Sequence, residues 1–589
     1  MTAKTPFLLG AALIVAAAVM YARHLGSAPI YLSPDEAIIS VDAHSIATTG
    51  RDVHGRFMPL YFQIQMRGEE RSGWFMPVIF YAIAFVLKVV PLSETSVRLP
   101  SVIVGLTDIL LMFLLVRRVF KCTALAAVSA AMLALTPAHF ILSRYALDYL
   151  YPLPFLLGWL LCFVAYLEHG RPRTLFAATI LLGIGFYSYI AAVLMVPVYL
   201  LFTLAVLFHQ HEPARDYGVA LAGFVLPLLV LVPWLIAHPT ALADTAHRYE
   251  LYNTGSMNAL QGLRSLVSYN SLEARAATYW SFFNPSFLFF TGDAQMPFST
   301  RSVGVFLLPV SVLIVAGMCF AIRRPSPVPL VALLGFLAAP VAAVLVPENS
   351  EIIRAAGMMP FGILLATFGV EALWQWPLIR RARLVLLPLG VAAILSGAAY
   401  ALWRLVSHAP PGGSAGLLIA AGIVLCLVAF ASDAVSLARI VAVGLLLAMP
   451  VQFAGFYRDY FGDYRRRSSN WLGGNLRGAL VDLMDREARD RAPFVYFARL
   501  RSTSGLVDTR NRWMETYWTF YLTKHGRRDL LERSRAFDPQ RVAEMPARSL
   551  VLANIGDPTA DALVRDGVLR RVKVIADEDG IRFFTILQR

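Results

Sequence analysis

About fourteen apolar runs, each close to the roughly 20 residues that a helix needs to cross a bilayer, follow one another between residues 6 and 456. They lie at about 6–22, 75–91, 98–116, 122–141, 150–167, 174–188, 190–208, 217–237, 303–322, 327–346, 354–374, 383–403, 415–431 and 438–456. A soluble core cannot absorb so much uninterrupted apolar chain. Across 589 residues the composition, 58% hydrophobic and only 15% charged, is that of a multi-pass α-helical membrane protein. In such a chain the formal charge of +14 marks cytoplasmic loops and lipid headgroups, and no nucleic-acid partner is expected. Cys122, Cys162, Cys319 and Cys426 all fall in or beside apolar runs, which leaves neither a disulfide framework nor zinc-ligand spacing. The first run has the look of a signal peptide ahead of "GSA". An uncleaved first helix is expected instead, because the polar loop behind it leads into further spans.

Charge bias gives the runs a direction. Lys4 inside sends the 24–74 loop outside, whereas "VRRVFK", "HGRPR", "RRPSP", "RRAR" and Arg439 all prefer the cytoplasm. These demands agree only if one early run does not cross. "FMPVIFYAIAFVLKVVP" (75–91) is short, contains Pro77 and Lys88, and follows a charged loop, so it reads as an interfacial or re-entrant helix. About 13 spans remain. The 144–150 turn, the 238–302 loop, the 347–353 turn and the tail then share the outer face, which in a bacterial inner membrane is the periplasmic side. The expected domains are a membrane part at 1–456 and a small α/β domain at 457–589. That domain's signals are the β-like runs "FVYFARL", "SLVLANI" and "IRFFTIL" between helical stretches "NLRGALVDLMDREAR" and "WMETYWTFYLTKHG".

The outer face gathers the polar groups that can do chemistry. In "YLSPDEAIISVDAHSIATTGRD", Ser33, Pro34 and Glu36 are spaced as N-cap, N1 and N3 of a capping box. Asp35 is not needed for that box. "SRYALDY" adds Arg144 and Asp148, "FYSYI" adds Tyr187 and Tyr189, and "PENSEIIRAAG" adds Glu348, Glu351 and Arg354. Each has a bland reading: snorkelling arginines, interfacial tyrosines, a local Arg144–Asp148 pair, and solvated His44 and His54. Their convergence on one face favours function. Carboxylates beside fixed cations suit displacement of a phosphate leaving group, with a base to take the proton of the attacking hydroxyl.

The order "PDEA…AHSIATTGRDVHGRFMPLYF", "ERSGWFMPVIFYAI", "SVRLPSVIVG", "HFILSRYALDY" and "FFNPSFLFFTGD" resembles the GT-C membrane glycosyltransferases over roughly residues 5–375. The nearest branch is that of the dolichyl-phosphate-mannose protein mannosyltransferases and aminoarabinose lipid A transferases. The resemblance implies an inverting transferase that moves a sugar from a polyprenyl-phosphate donor to a lipid, glycan or protein hydroxyl. It implies Asp35 as the catalytic acid and Asp148 as a second acidic residue, with Glu36 beside them as a further catalytic candidate. It implies Arg98 and Arg354 at the donor phosphate; Arg71 and Arg144 are further candidates there, and His54, Tyr187 and Tyr189 are candidates for binding the substrates. Where some relatives have Lys-Pro-Pro before the interfacial helix, this chain has "RSGWFMP", a departure at Arg71. Relatives differ in metal dependence, so a divalent metal stays open and no other cofactor is expected. The competing readings are a flippase of lipid-linked sugars and a glycan polymerase or ligase. The sparse midplane charge and absent repeated halves weigh against a transporter.

Overall fold

The computed structural model describes residues 5–64, 73–249, 251–253, 255–266, 268–345, 351–375, 382–406, 413–430, 437–469, 471–498 and 509–589. Its first four helices are α1 (Thr5–Ala22), α2 (Pro34–Thr49), α3 (Pro77–Leu87) and α4 (Glu94–Phe120). Between α2 and α3 lies a short antiparallel pair, β1 (Phe62–Ile64) and β2 (Gly73–Phe75). Among the described residues, seven helices are long and apolar enough to cross a membrane, and seven more apolar helices are shorter. The chain is thus a helical membrane protein. The shortest of them, α3, has 11 residues and rises roughly 16 Å, about half of a 30 Å hydrocarbon core.

Most apolar runs become helices within a few residues of their expected ends. Three are interrupted where proline punctuates them. The 122–141 run breaks into Thr123–Ala134 and Pro137–Leu142, with Pro137 opening the second helix. The 217–237 run breaks after Leu228, near Pro227, and resumes at Leu231. The run at 327–346 forms a helix only to Ala338 and continues in 3-10 turns around Pro340. A proline removes one intrahelical donor and crowds the preceding turn, so the breaks follow from the sequence.

Packing between the helices depends on small residues. Gly317 in the Leu308–Arg323 helix and Gly369 in Met358–Gln375 face one another's backbones. A Cβ added at Gly317 would stand 1.9 Å from the Leu365 carbonyl oxygen, and one at Gly369 2.0 Å from that of Leu313. Polar contacts also join helices in the interior. His139 lies 2.9 Å from the Tyr21 hydroxyl and 3.3 Å from the Asp108 carboxyl, tying α1, α4 and the Pro137–Leu142 helix.

The helix Leu437–Phe461 runs past Tyr457, where the composition changes, and leads into an α/β unit. Its strands are β3 (Val495–Phe497), β4 (Ser534–Ala536), β5 (Leu550–Asn554), β6 (Arg570–Ala576) and β7 (Arg582–Gln588). The sheet order is β4-β3-β5-β7-β6, with β3 parallel to β4 and β5, and β7 antiparallel to β5 and β6. Helices Leu476–Asp490, Thr509–Lys524 and Pro558–Arg565 accompany it.

The glycine contact gives a direct test. Gly317→Val forces apart two helices whose backbones touch, an overpacking that costs about 1–3 kcal/mol or more. The folded, monodisperse yield in detergent, read by size-exclusion chromatography, is expected to collapse. Wild-type yield and melting temperature for this variant would show that the helices do not meet there.

Candidate active site

The chain between α1 and α2 has little regular structure, yet much of it is buried, so its carbonyls need partners. Two arginines supply many of them. Arg98, on the first turns of α4, donates to the carbonyls of Leu25 (3.1 Å), Pro29 (2.8 Å) and Tyr31 (2.7 Å). Its other two N–H groups go to Glu36, from Nε to Oε1 at 2.8 Å and from Nη2 to Oε2 at 3.2 Å. Arg144 donates to the carbonyls of Tyr21, Arg23 and Ala28, and its guanidinium lies 5.0–5.5 Å from the ring centres of Phe140, Tyr460 and Phe461.

On this frame α2 begins as the spacing requires. Ser33 is the N-cap, Pro34 fills the first turn, and the reciprocal bonds of a capping box are present: Glu36 N–H to Ser33 Oγ at 3.3 Å, and Ser33 N–H to Glu36 Oε2 at 2.8 Å. The helix closes at Gly50, whose φ of 70° suits a residue without a side chain. Glu36 also accepts the Ala146 N–H at 2.9 Å. Three of the expected site residues stand in this scaffold. Glu36 is completely buried and spends both oxygens on the scaffold. All five N–H groups of Arg98 are used, leaving none for a phosphate. Arg144 is fully buried and turned to backbone, neither pairing locally with Asp148 nor facing the cleft.

Asp35, which precedes Glu36 on the first turn of α2, keeps part of its surface open. It sits deep among protein atoms, and that burial raises its carboxyl above the ordinary range; Arg248 counters the rise and Glu36 adds to it. Asp148, in the turn before the Pro152–His169 helix, feels the charges of both Asp35 and Arg248. Tyr189 stacks edge-on against Tyr149, with ring centres 5.4 Å apart, and interacts with Asp148, Tyr249, Arg354 and Glu351. Arg354 stands 3.6 Å from Glu351. Asp293 fixes that pair's segment by accepting the Ile352 N–H at 2.7 Å and the Gln295 N–H at 2.8 Å. Burial nonetheless pushes the Asp293 carboxyl up to about 6.

Tyr149, Tyr189 and Arg354 are among the polar residues lining a cleft. Most of its lining is apolar, with residues such as Leu153, Leu156, Met195, Val196 and Ile353. The structure therefore brings Asp35, Asp148, Tyr189 and Arg354 together and adds Arg248, Tyr249 and Tyr149, which the sequence did not single out. Arg248 ends the short Ala241–Arg248 helix and reaches β2, its guanidinium 4.7 Å from the Phe75 ring centre. From sequence, a basic residue there reads as a complement to the helix dipole.

The remaining expectations separate. Tyr187 lies in an aromatic pack with Tyr61, its hydroxyl donating to the Pro227 carbonyl at 3.0 Å. His54 is exposed and braces the first loop, its Nε2 3.0 Å from the Gln63 carbonyl. Asp52 holds the same loop through the His54 and Arg56 N–H groups and the Arg56 guanidinium. Arg71 and Glu348 lie outside the described residues. Among the described residues no group of three or more His, Cys, Asp or Glu side chains is arranged to hold a metal ion.

The fold has solved counterparts. ArnT from Cupriavidus metallidurans in the apo state matches with a TM-score of 0.54 at 14% identity, over 99% of this chain and 98% of that one. The same protein bound to undecaprenyl phosphate gives a TM-score of 0.51 at 14% identity, over 98% and 97%. At such identity the likeness is one of fold. Residues 76–236 match the sequence profile of the dolichyl-phosphate-mannose-protein mannosyltransferase family. No curated protein matches the sequence. The chain has the GT-C fold, as its sequence motifs implied. Within that class, its whole length follows the ArnT architecture and its 76–236 stretch carries the mannosyltransferase profile.

The two roles suggested for Arg98 are separable. Arg98→Met leaves Glu36 buried without its cation and several carbonyls unpaired, and is expected to destabilise the fold by about 3–5 kcal/mol. Thermal unfolding in detergent measures it. A variant that melts like wild type and loses only affinity for lipid phosphate would return Arg98 to the donor site.

Proposed function

We propose that the protein is an inverting glycosyltransferase that moves a sugar from a polyprenyl-phosphate donor to the hydroxyl of a lipid, glycan or protein acceptor. The observation that carries this reading is that Asp35, Asp148 and Arg248 act on one another beside Tyr149 and Tyr189, which line an apolar cleft together with Arg354. The apolar walls suit a prenyl chain and the cations its phosphate. Asp35 takes the proton of the acceptor hydroxyl, whose oxygen attacks the anomeric carbon as the bond to the phosphate oxygen breaks. That oxygen leaves with the bonding pair, neutralised by Arg354, Arg248 and, by the resemblance, Arg71. Asp148 and Tyr189 border the sugar. The ArnT counterpart bound to undecaprenyl phosphate supports this choice of donor.

Asp35→Asn is expected to lower transfer by about 10²–10⁴-fold. The assay uses membranes supplied with labelled polyprenyl-phosphate mannose or aminoarabinose, with and without a chelator to show any metal requirement. Wild-type transfer by the variant would remove Asp35 from the chemistry, and sugar movement across the bilayer without transfer would indicate a flippase. A base must be ionised, so the rate is expected to rise with pH through the raised Asp35 titration, above the ordinary value near 3.9. The same sign governs stability: a carboxyl favoured neutral by the fold destabilises it once ionised, so Asp35→Asn melts at or above wild type near neutral pH and loses that advantage in acid.

The reading also places the chain in a bacterial inner membrane with about 13 spans, α3 lying at the interface, and the 457–589 domain on the periplasmic side. A C-terminal alkaline phosphatase fusion, active only when exported, is expected to be active. A fluorescent fusion at the same position, dark outside the cytoplasm, is expected to be dark. The opposite pattern would invert the topology.

A further inference from the structure

The linker before Asp35 is held from two directions. Arg98 takes the Tyr31 carbonyl from the membrane side, at 2.7 Å. From the C-terminal unit, the Tyr517 hydroxyl donates to the Leu32 carbonyl at 2.8 Å, one residue before the N-cap of α2. The Tyr31 hydroxyl donates to Asp577 at 2.5 Å, and Arg477 covers the Tyr31 ring at 5.4 Å. Asp577 is itself held by the Ser469 hydroxyl and the Glu578 N–H.

Tyr517, Tyr521 and Lys524 occupy one stripe of the Thr509–Lys524 helix, spaced four and then three residues apart. The second and third reach the start of α4: Lys524 Nζ lies 2.6 Å from Glu94 Oε2, and the Tyr521 hydroxyl is 3.4 Å from Glu94 Oε1. Trp518 belongs to the other face, its Nε1 donating to Ser534 Oγ at 2.8 Å and its ring 5.4 Å from that of Phe497. One face therefore builds the C-terminal unit, and the other grips the beginnings of α2 and α4.

We propose that this stripe is a positioning element for Asp35, with Tyr517 and Lys524 as its principal residues. The Ser33 cap and Pro34 make the helix start rigid, so displacement of Leu32 carries Asp35 with it. Reaction geometry is sensitive to shifts near 1 Å. The inference rests on Asp35 being the base, and its test separates the two claims.

Full-length Tyr517→Phe, Lys524→Met and Lys524→Arg are compared with wild type and with Asp35→Asn. Tyr517→Phe is expected to lower kcat per folded molecule about tenfold, with donor KM within about twofold. Amide hydrogen exchange across 31–40 is expected to quicken, with the melting temperature held. Lys524→Met lowers kcat and quickens exchange in the same way, with a lower melting temperature because the buried Glu94 loses its cation, and Lys524→Arg restores all three. Wild-type exchange and kcat in Tyr517→Phe would overturn the proposal, as would a uniform fall in both kcat and stability that Lys524→Arg does not rescue. If Asp35→Asn instead transfers sugar at the wild-type rate, the functional reading fails, while the exchange data still decide whether the stripe holds the α2 start.

Discussion

The Glu36–Arg98 pair joins the chain segments on which the proposed chemistry depends. Its members are completely buried, where an isolated charge is strongly penalised. Each is instead saturated: Arg98 by three carbonyls and a carboxylate, Glu36 by Arg98, the Ser33 N–H and the Ala146 N–H. Such a pair contributes little net stability against an apolar replacement, yet breaking it by removing one partner is severe. What it contributes here is connection. Glu36 is adjacent in sequence to Asp35, and it binds the backbone two residues before Asp148. One side chain thus ties together the two segments that carry the acids.

Arginine suits this scaffold for a physical reason. A dehydrated stretch of irregular chain presents carbonyls in several directions, and the five N–H groups of a planar guanidinium can meet them without losing charge. Arg98 and Arg144 do so for the segment between α1 and α2, and Arg465 adds the Ser27 carbonyl at 2.6 Å. A lysine would offer three donors from one point. The cations at the cleft are placed differently. Arg354 lies beside Glu351 at its lining, and Arg248 acts on Asp35 and Asp148 from the end of the short Ala241–Arg248 helix.

Much of the architecture was legible because its signals are local. The capping box at Ser33–Glu36 is a spacing rule and appears as written. The apolar runs became helices, broken where proline stands. In the C-terminal unit the three apolar runs became β3, β5 and β7, which are the inner strands. The strands without such a signal, β4 and β6, are the edges. β4 has three residues, and β6 carries arginine and lysine, which protect an edge from pairing with another chain. The site was less legible because a residue's place at a helix end does not reveal its direction. Arg98, Arg144 and Arg354 look alike in sequence, and only burial and donor use divide them. Tyr187 and Tyr189 are two residues apart, and the turn sends one to an aromatic pack and the other to the cleft. Arg248 is held by long-range packing against β2, which no spacing rule encodes.

The raised Asp35 titration and the rigidity around it belong together. A carboxyl that the fold prefers neutral pushes its surroundings toward water once it ionises, and a loose helix start would yield. This start is over-determined: Ser33 and Pro34 set its first turn, Glu36 anchors the third residue to Arg98, and Arg98 and Tyr517 hold the carbonyls of Tyr31 and Leu32. An unfavourable charge persists in a fold only where its neighbours prevent relaxation. The saturated arginine and the C-terminal helix are therefore not accessories to the acid. They keep a carboxyl in surroundings where it is a stronger base than it would be in water.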